Sequence, residues 1–290
     1  MKLLQGNIIA SQIVASLQKE ISLFSTRKPG LAFIRVGDNP ASKVYISLKK
    51  KRCQEVGIVS FDHELPESTS SFELIDLIDK LNVDPKVDGI LLQLPIPPHL
   101  DPLALLEKIN PDKDVDGFHP FNMGQLLLGA TDGLIACTPK GVHRLLLEYK
   151  IPIAGKHVVI VGRSNIVGKP LAALLMQKHK DCNATVTIAH SGTTHLESLC
   201  KEADILVAAI GSPRFITEKM VRPGTVVVDV GMNKISSQGK PLLVGDVDFD
   251  AVAPLCSYIT PVPGGVGPMT IALLLENTVK AYKKSLKFSP

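Results

Sequence analysis

Ile9, Ile13, Leu17 and Ile21 recur every four positions, a spacing that predicts an amphipathic helix at the start of the chain. The short apolar run Leu31 to Val36 predicts a strand, followed by the turn Gly37-Asp38-Asn39-Pro40. Asn39 can cap a helix and Pro40 suits its first position, so a helix is expected from there through Glu55. Ser71 to Leu81 reads as the next helix, and Val87 to Leu94 as a buried strand stopped by Pro95-Ile96-Pro97-Pro98. A second series of the same kind starts near residue 139. Its strands are expected at Lys156 to Val161, Ala184 to Ala189, Ile205 to Ile210 and Thr225 to Val230, with helices at Pro170 to Lys178 and Leu196 to Glu202. Strands alternating with helices specify an α/β fold built on parallel sheet. Thr138-Pro139-Lys140-Gly141 reads as the border between two units, and a closing helix, Met269 to Lys284, is expected to return to the first.

Composition supports two globular domains. The 290 residues are twice the ~150-residue prior for one domain. A 45% hydrophobic share with 21% charged residues can bury a core. No apolar run approaches the ~18 residues of a membrane span. Aromatics are 4% with no tryptophan, which argues against a base-stacking platform, and a dispersed net charge of +4 is far from a nucleic-acid footprint. It suits a small anionic substrate. Cys53, Cys137, Cys182, Cys200 and Cys256 are odd in number and never form CxxC, so neither a disulfide scaffold nor a zinc site is supported and a reducing cytosol fits. The first residues do not resemble a signal peptide, and the first arginine, Arg27, makes a poor transit peptide. A cytoplasmic protein is expected.

Val158 to Val161 followed by Gly162-Arg163-Ser164-Asn165-Ile166-Val167-Gly168-Lys169-Pro170 reads as strand, tight glycine turn and helix. That arrangement sets backbone N–H groups and a positive helix end against a pyrophosphate. It departs from GxGxxG: Ser164 holds the second glycine position, and Gly168 lies one place beyond the third. A unit for NAD would carry an acid at the end of the next strand to bind the ribose hydroxyls. Here that strand ends in His190-Ser191-Gly192-Thr193. With no carboxylate to repel a 2′-phosphate and Arg163 beside the turn, NADP is the expected cofactor.

On the helix beginning at Pro40, Tyr45 and Lys49 stand four apart and share a face, setting a stacking surface beside an ammonium; Lys50 and Lys51 read as a solvated basic face. Asp112-Lys113-Asp114-Val115-Asp116-Gly117 imitates the start of a calcium loop, but the required glutamate would fall at Met123, so calcium is rejected. The carboxylates that remain are either structural or poised to accept hydrogen bonds from an N–H-rich ring. Ile259-Thr260-Pro261-Val262-Pro263-Gly264-Gly265-Val266-Gly267-Pro268-Met269-Thr270 combines two prolines, three glycines and a helix start, and is either a structural hinge or a loop whose backbone approaches a ligand. No metal site is expected, and serine-hydrolase, zinc-protease and P-loop motifs are missing from the chain.

The segments GDNPASKVYISLKKKRCQEVGI, VDGILLQLPIP, DKDVDGFHPFNMG, CTPKGV, VVIVGRSNIVGKP, GDVDF and ITPVPGGVGPMT, in that order, resemble the bifunctional methylenetetrahydrofolate dehydrogenase/cyclohydrolase family from about residue 3 to 282. The resemblance implies a folate-binding catalytic α/β domain, residues 1–138 plus 266–290, joined to an NADP-binding Rossmann domain, residues 139–265. It implies oxidation of 5,10-methylenetetrahydrofolate with NADP+ and hydrolysis of the product to 10-formyltetrahydrofolate. Lys49 would be the main catalytic residue, Gln93 its hydrogen-bond partner, Tyr45 the ring stacked on folate and Asp116 the pterin ligand. Pro263, Gly264 and Gly265 would also line the folate. Gly162, Arg163, Ser164, Gly168, Ser191 and Thr138 would hold the cofactor, with Arg163 and Ser191 at the phosphate. Gly192-Thr193 departs from the many relatives that carry Lys or Arg before the threonine, so one phosphate cation lacks a counterpart. A homodimer is the family expectation. Two other readings compete: an NADP oxidoreductase of another small metabolite, such as a shikimate-type dehydrogenase, and a binding module without catalysis. The first leaves Tyr45, Lys49, Gln93 and PVPGGVGPMT unexplained; the intact Lys49 speaks against the second.

Overall fold

The computed structural model describes residues 1–130, 132–237 and 240–287. In chain order the elements are β1 (Lys2–Leu3), α1 (Gly6–Ser22), β2 (Gly30–Val36), α2 (Pro40–Val56), β3 (Val59–Leu65), α3 (Ser71–Val83), β4 (Gly89–Leu92), α4 (Pro102–Leu106), α5 (Pro120–Leu127), α6 (Cys137–Glu148), β5 (His157–Val161), α7 (Gly168–Leu175), β6 (Thr185–Ala189), α8 (Leu196–Lys201), β7 (Ile205–Ala208), β8 (Val226–Asp229), β9 (Asn233–Ser237), β10 (Lys240–Val244), α9 (Phe249–Val252), β11 (Tyr258–Ile259) and α10 (Val266–Lys287). The alternating α/β pattern expected from the sequence is present.

The chain divides into two compact units. The first comprises Ser11–Gln125, Ala130–Cys137 and Ile271–Pro290; the second comprises Met1–Ala10, Leu126–Gly129 and Thr138–Thr270. These bounds differ from the expected 1–138 plus 266–290 and 139–265. Lys2 and Leu3 form a parallel pair with Tyr258 and Ile259, which draws the N-terminus into the second unit. Thr138 to Gly141, expected as the border between the units, lies inside α6, and one boundary between the units falls between Cys137 and Thr138. Proline is tolerated there because the first turn of a helix leaves its N–H groups without intrahelical partners.

In the first unit, β3, β2 and β4 form a parallel sheet in that order. β2 and β4 are buried along their whole length, and Ala32, Ile34, Ile90 and Leu92 pack with Leu74 and Ile78 of α3. β3 is an edge strand that escapes an apolar-run criterion because Ser60, Asp62 and Glu64 alternate with its apolar positions. Asn39 Oδ1 accepts from the Ser42 N–H at 3.2 Å, so α2 starts at the predicted cap. Ser70 and Glu73 form a capping box on α3. Asn277 of α10 donates to the Val115 and Ile135 carbonyls, both at 2.9 Å, and so ties the closing helix into this unit.

In the second unit, β1, β11, β8, β7, β5 and β6 make one parallel sheet in that order. Its core is Val159, Val161, Leu206, Ala208, Val227 and Ile259, with Cys200 and Cys256 among them. β6 and β7 lie on opposite sides of β5, so the order reverses there and a crevice opens outside the carboxyl ends of β5 and β7. All five cysteines are buried free thiols. No helix among the described residues is long and apolar enough to cross a membrane.

Candidate functional site

α2 turns Ser42, Ile46, Cys53 and Val56 inward and leaves Lys43, Val44, Leu48, Lys51 and Arg52 outside. Lys49 stands at the margin of these faces. Its ammonium donates to Gln93 Oε1 at 3.1 Å, while Gln93 Nε2 donates to the Leu94 carbonyl at 2.7 Å. That second bond fixes which end of the amide meets the lysine. Gln93 is placed by the sheet, since its backbone N–H continues the β4–β2 ladder to the Ile34 carbonyl at 2.9 Å. Tyr45, one turn before Lys49, keeps 37% of its surface exposed, and partial burial raises its phenol pKa. Lys50 is a correction to the solvated-face reading: it pairs with Asp62 of β3 at 2.6 Å. Cys53, a turn after Lys49, is pushed up to about 12 by burial, so it is held as an inert thiol.

The carboxylates that sequence left undecided separate clearly. Asp114 is buried and accepts from the Phe118 N–H at 3.1 Å, the His119 N–H at 2.8 Å and Asn122 Nδ2 at 2.9 Å. Burial still raises its pKa to about 6. It is the organiser of the loop. Asp116, two residues on, accepts no side-chain hydrogen bond among the described residues. Burial raises its pKa and the positive charge of Lys49 acts the other way. Its loop is held from behind, with Cys137 Sγ at 3.3 Å from the Val115 carbonyl and the Cys137 N–H at 3.3 Å from the Asp116 carbonyl. Lys49, Gln93, Tyr45 and Asp116 therefore belong to one unit, and Lys49 interacts with both Gln93 and Asp116.

The remaining predicted site residues lie in the second unit. Gly162 follows β5 with φ +132°, and a Cβ there would collide with the Ala209 carbonyl; one on Gly168 would collide with the Gly162 carbonyl. Both positions require glycine because backbone passes over backbone. Ser164 Oγ accepts from the Val167 N–H at 3.1 Å and the Gly168 N–H at 3.5 Å, so the serine in the second glycine position closes the turn onto α7. Arg163 is exposed and has no ion-pair partner among the described residues. Ser191 and Gly192 are exposed in a turn after β6, which Thr193 Oγ1 and His190 Nδ1 hold by accepting from the His190 and Gly192 N–H groups at 2.9 and 3.1 Å. Thr138 Oγ1 lies 3.2 Å from Thr270 Oγ1. Pro263 follows a cis peptide, Gly264 has φ +107°, and its carbonyl accepts from the Asn7 N–H at 3.0 Å. Among the described residues no group of three or more His, Cys, Asp or Glu side chains is arranged to hold a metal ion.

Two features escape the sequence patterns. Arg35 is buried inside the apolar run of β2. It donates to the Gly37 carbonyl, to Asp38 Oδ1 at 3.0 Å and to Glu64 Oε2 at 2.7 Å, shaping the entry into α2. Asp229 and Asp246 are buried with backbone N–H groups around them. No periodicity signals either, although GDVDF does flag Asp246.

Comparison with known proteins shows the family of the chain. A family profile described as tetrahydrofolate dehydrogenase/cyclohydrolase, catalytic domain, matches residues 4–116, and one described as the NAD(P)-binding domain of the same family matches residues 136–286. The bifunctional protein FolD of Chlamydia pneumoniae is 52% identical over 283 residues, 97% of this chain and 99% of its own. The crystal structure of the bifunctional enzyme FolD, methylenetetrahydrofolate dehydrogenase/cyclohydrolase, from Campylobacter jejuni superposes with a TM-score of 0.94 at 46% identity, covering 98% of this chain and 99% of that one. The Trypanosoma brucei methylenetetrahydrofolate dehydrogenase-cyclohydrolase, solved with NADP cofactor and inhibitor, gives 0.92 at 37% identity and covers 98% of both chains. With a catalytic-domain match over the Lys49 helix and the Asp116 loop and a dinucleotide-domain match over the Gly162 turn, the chain belongs to the bifunctional tetrahydrofolate dehydrogenase/cyclohydrolase family.

Proposed function

We propose that this chain oxidises 5,10-methylenetetrahydrofolate to 5,10-methenyltetrahydrofolate with NADP+, and hydrolyses that product to 10-formyltetrahydrofolate. The observation that carries the reading is the Lys49–Gln93 pair with an Asp116 carboxylate in its field that accepts no hydrogen bond among the described residues. The first unit would hold the folate and the second the dinucleotide. Tyr45 offers its ring to the pterin, and Asp116 accepts from pterin N–H donors. Water adds to the methenyl carbon, and the tetrahedral adduct opens at one carbon–nitrogen bond. Lys49 moves the proton and steadies the adduct oxygen, with Gln93 fixing its ammonium.

The crevice fits a dinucleotide because Gly162 and Gly168 let the turn after β5 pack onto the Ala209 and Gly162 carbonyls, which brings backbone N–H groups and the start of α7 to where a pyrophosphate would sit. Gly162, Ser164, Gly168 and Thr138 would hold it. Bound there, the nicotinamide supplies a hydride acceptor. NADP rather than NAD is supported by Arg163 standing without an ion-pair partner among the described residues, by Ser191, and by a turn from His190 to Thr193 with no carboxylate. The Trypanosoma brucei relative was solved with NADP. The reading includes a homodimer in the cytoplasm, where buried free thiols stay reduced; sedimentation reads the mass. The enzymatic test mixes protein, methylenetetrahydrofolate and NADP+ and follows NADPH and methenyl absorbance. NADPH formed without methenyl accumulation is the expected result.

Arg163→Ala should weaken NADP+ binding by roughly 1.5–3 kcal/mol, the value of one charge-assisted contact, and leave NAD+ nearly unchanged. Titration with both cofactors checks this, and equal losses would contradict a phosphate role. Asp116→Ala should raise the Michaelis constant for folate in both activities, since one acceptor serves ground and transition states alike. A variant that binds folate normally but turns over slowly would give Asp116 a chemical role instead.

A further inference from the structure

We propose that Asp246 is a positioning residue for dinucleotide binding: it clamps the backbone wall that faces the Gly162 turn, and Asp229 anchors it. The inference rests on the second unit holding the dinucleotide. Asp246 is fully buried in the loop between β10 and α9. Its Oδ2 accepts from the Ile210 N–H at 2.6 Å and the Gly211 N–H at 2.9 Å, and its Oδ1 accepts from Asn233 Nδ2 at 2.8 Å. Ile210 and Gly211 follow β7, on the far side of the crevice from the turn after β5. Ala209, next to them, is the residue whose carbonyl leaves no room for a Cβ on Gly162. A shift of the segment after β7 would therefore be felt directly at the proposed pyrophosphate turn.

Asp246 is itself held. Asp229, at the end of β8, accepts from the Asp246 N–H at 2.9 Å and the Gly231 N–H at 2.9 Å on Oδ1, and from the Val247 N–H at 2.9 Å on Oδ2. The Arg214 and Ile216 N–H groups return to the Gly245 and Asp246 carbonyls at 3.1 and 2.9 Å. Gly245 and Gly231 belong to the device. A Cβ on Gly245 would collide with the Asp229 carboxylate, and one on Gly231 with that of Asp246. Only an acceptor-only group satisfies the backbone N–H donors arriving at both oxygens of Asp229, which accounts for an acid there although burial disfavours charge. The glycine and first aspartate of GDVDF thus gain a role: the glycine admits Asp229, and the aspartate fixes the wall.

The two activities provide an internal control, because methenyl hydrolysis transfers no hydride. Asp246→Ala removes the acceptor that holds the Ile210 and Gly211 N–H groups and should raise the Kd for NADPH, read by fluorescence titration, at least about tenfold. The Michaelis constant for NADP+ should rise with it, while cyclohydrolase activity stays within about twofold of wild type. Asp246→Asn should recover most of the loss, since its amide oxygen can meet Ile210 and Gly211 while its NH2 turns to a flipped Asn233. NADPH binding by Asp246→Ala at wild-type strength overturns the proposal, as does an equal fall in both activities of a variant whose circular dichroism is native. If Asp246→Ala does not fold, Asp229→Asn decides: its NH2 would face the Val247 N–H, so NADPH should weaken several-fold with cyclohydrolase retained, and unchanged binding overturns the idea. The titration needs no folate turnover. A wild-type protein that binds NADPH but lacks both activities would count against the folate reading alone.

Discussion

Lys49→Met is expected to abolish methenyltetrahydrofolate hydrolysis while harming oxidation of the methylene substrate less. Methionine keeps an unbranched stem beside Tyr45 and is well tolerated in a helix, so α2 should persist. It removes the ammonium that Gln93 receives at 3.1 Å and the charge that acts on Asp116. Loss of a hydride from the methylene carbon requires no proton transfer by the protein. Water addition and ring opening do. Removing a general acid–base group costs typically about 10²–10⁴-fold, enough to make hydrolysis rate-limiting, so the methenyl species should accumulate and decay at its solution rate. A single-turnover run recording both absorbances, after circular dichroism has confirmed the fold, gives the answer. A variant that clears authentic methenyltetrahydrofolate at the wild-type rate would return Lys49 to the solvated face of α2.

Gly162→Ala is expected to remove NADP+-dependent oxidation and to lower stability measurably. Gly162 sits at φ +132°, where an L side chain is strained, and its new methyl would meet the Ala209 carbonyl, which belongs to the backbone and cannot rotate away. Strain of this kind and overpacking each cost about 1–3 kcal/mol. Relief can come only by moving the turn or the segment after β7. A loss of 2 kcal/mol lowers the melting temperature by about 4–8 °C in a chain of this size class. Thermal unfolding and NADPH titration check the two halves, and a variant with native melting and native NADPH affinity would contradict the close approach. Gly155, also at positive φ but with nothing near its Cβ position, is the control: Gly155→Ala should show backbone strain without loss of NADPH binding.

Much of this was legible along the chain because it depends on neighbours in sequence. The Asn39 cap, the Tyr45–Lys49 spacing, the glycine turn at Gly162 and the strand–helix alternation are set by backbone geometry within a few residues. The edge strand β3 was missed for a related reason: its polar alternation belongs to a surface that only the sheet defines. The Lys2–Leu3 strand needed Tyr258 and Ile259 beside it to exist at all.

The roles of the charged residues could not be read that way. Asp114 and Asp116 stand two apart in one motif, yet one carboxylate is consumed by Phe118, His119 and Asn122 while the other accepts no hydrogen bond among the described residues and feels the charge of Lys49. Lys50 adjoins Lys49 and is spent on Asp62. Gln93 meets Lys49 only because β4 pairs with β2, and Asp246 meets Ile210 and Gly211 only because the chain returns 35 residues later. Periodicity and turn chemistry are local, so sequence carries them. Which carboxylate is desolvated, which donor is satisfied and which cation keeps its charge available depend on atoms brought together from distant segments, and in a low-dielectric interior those atoms decide the chemistry.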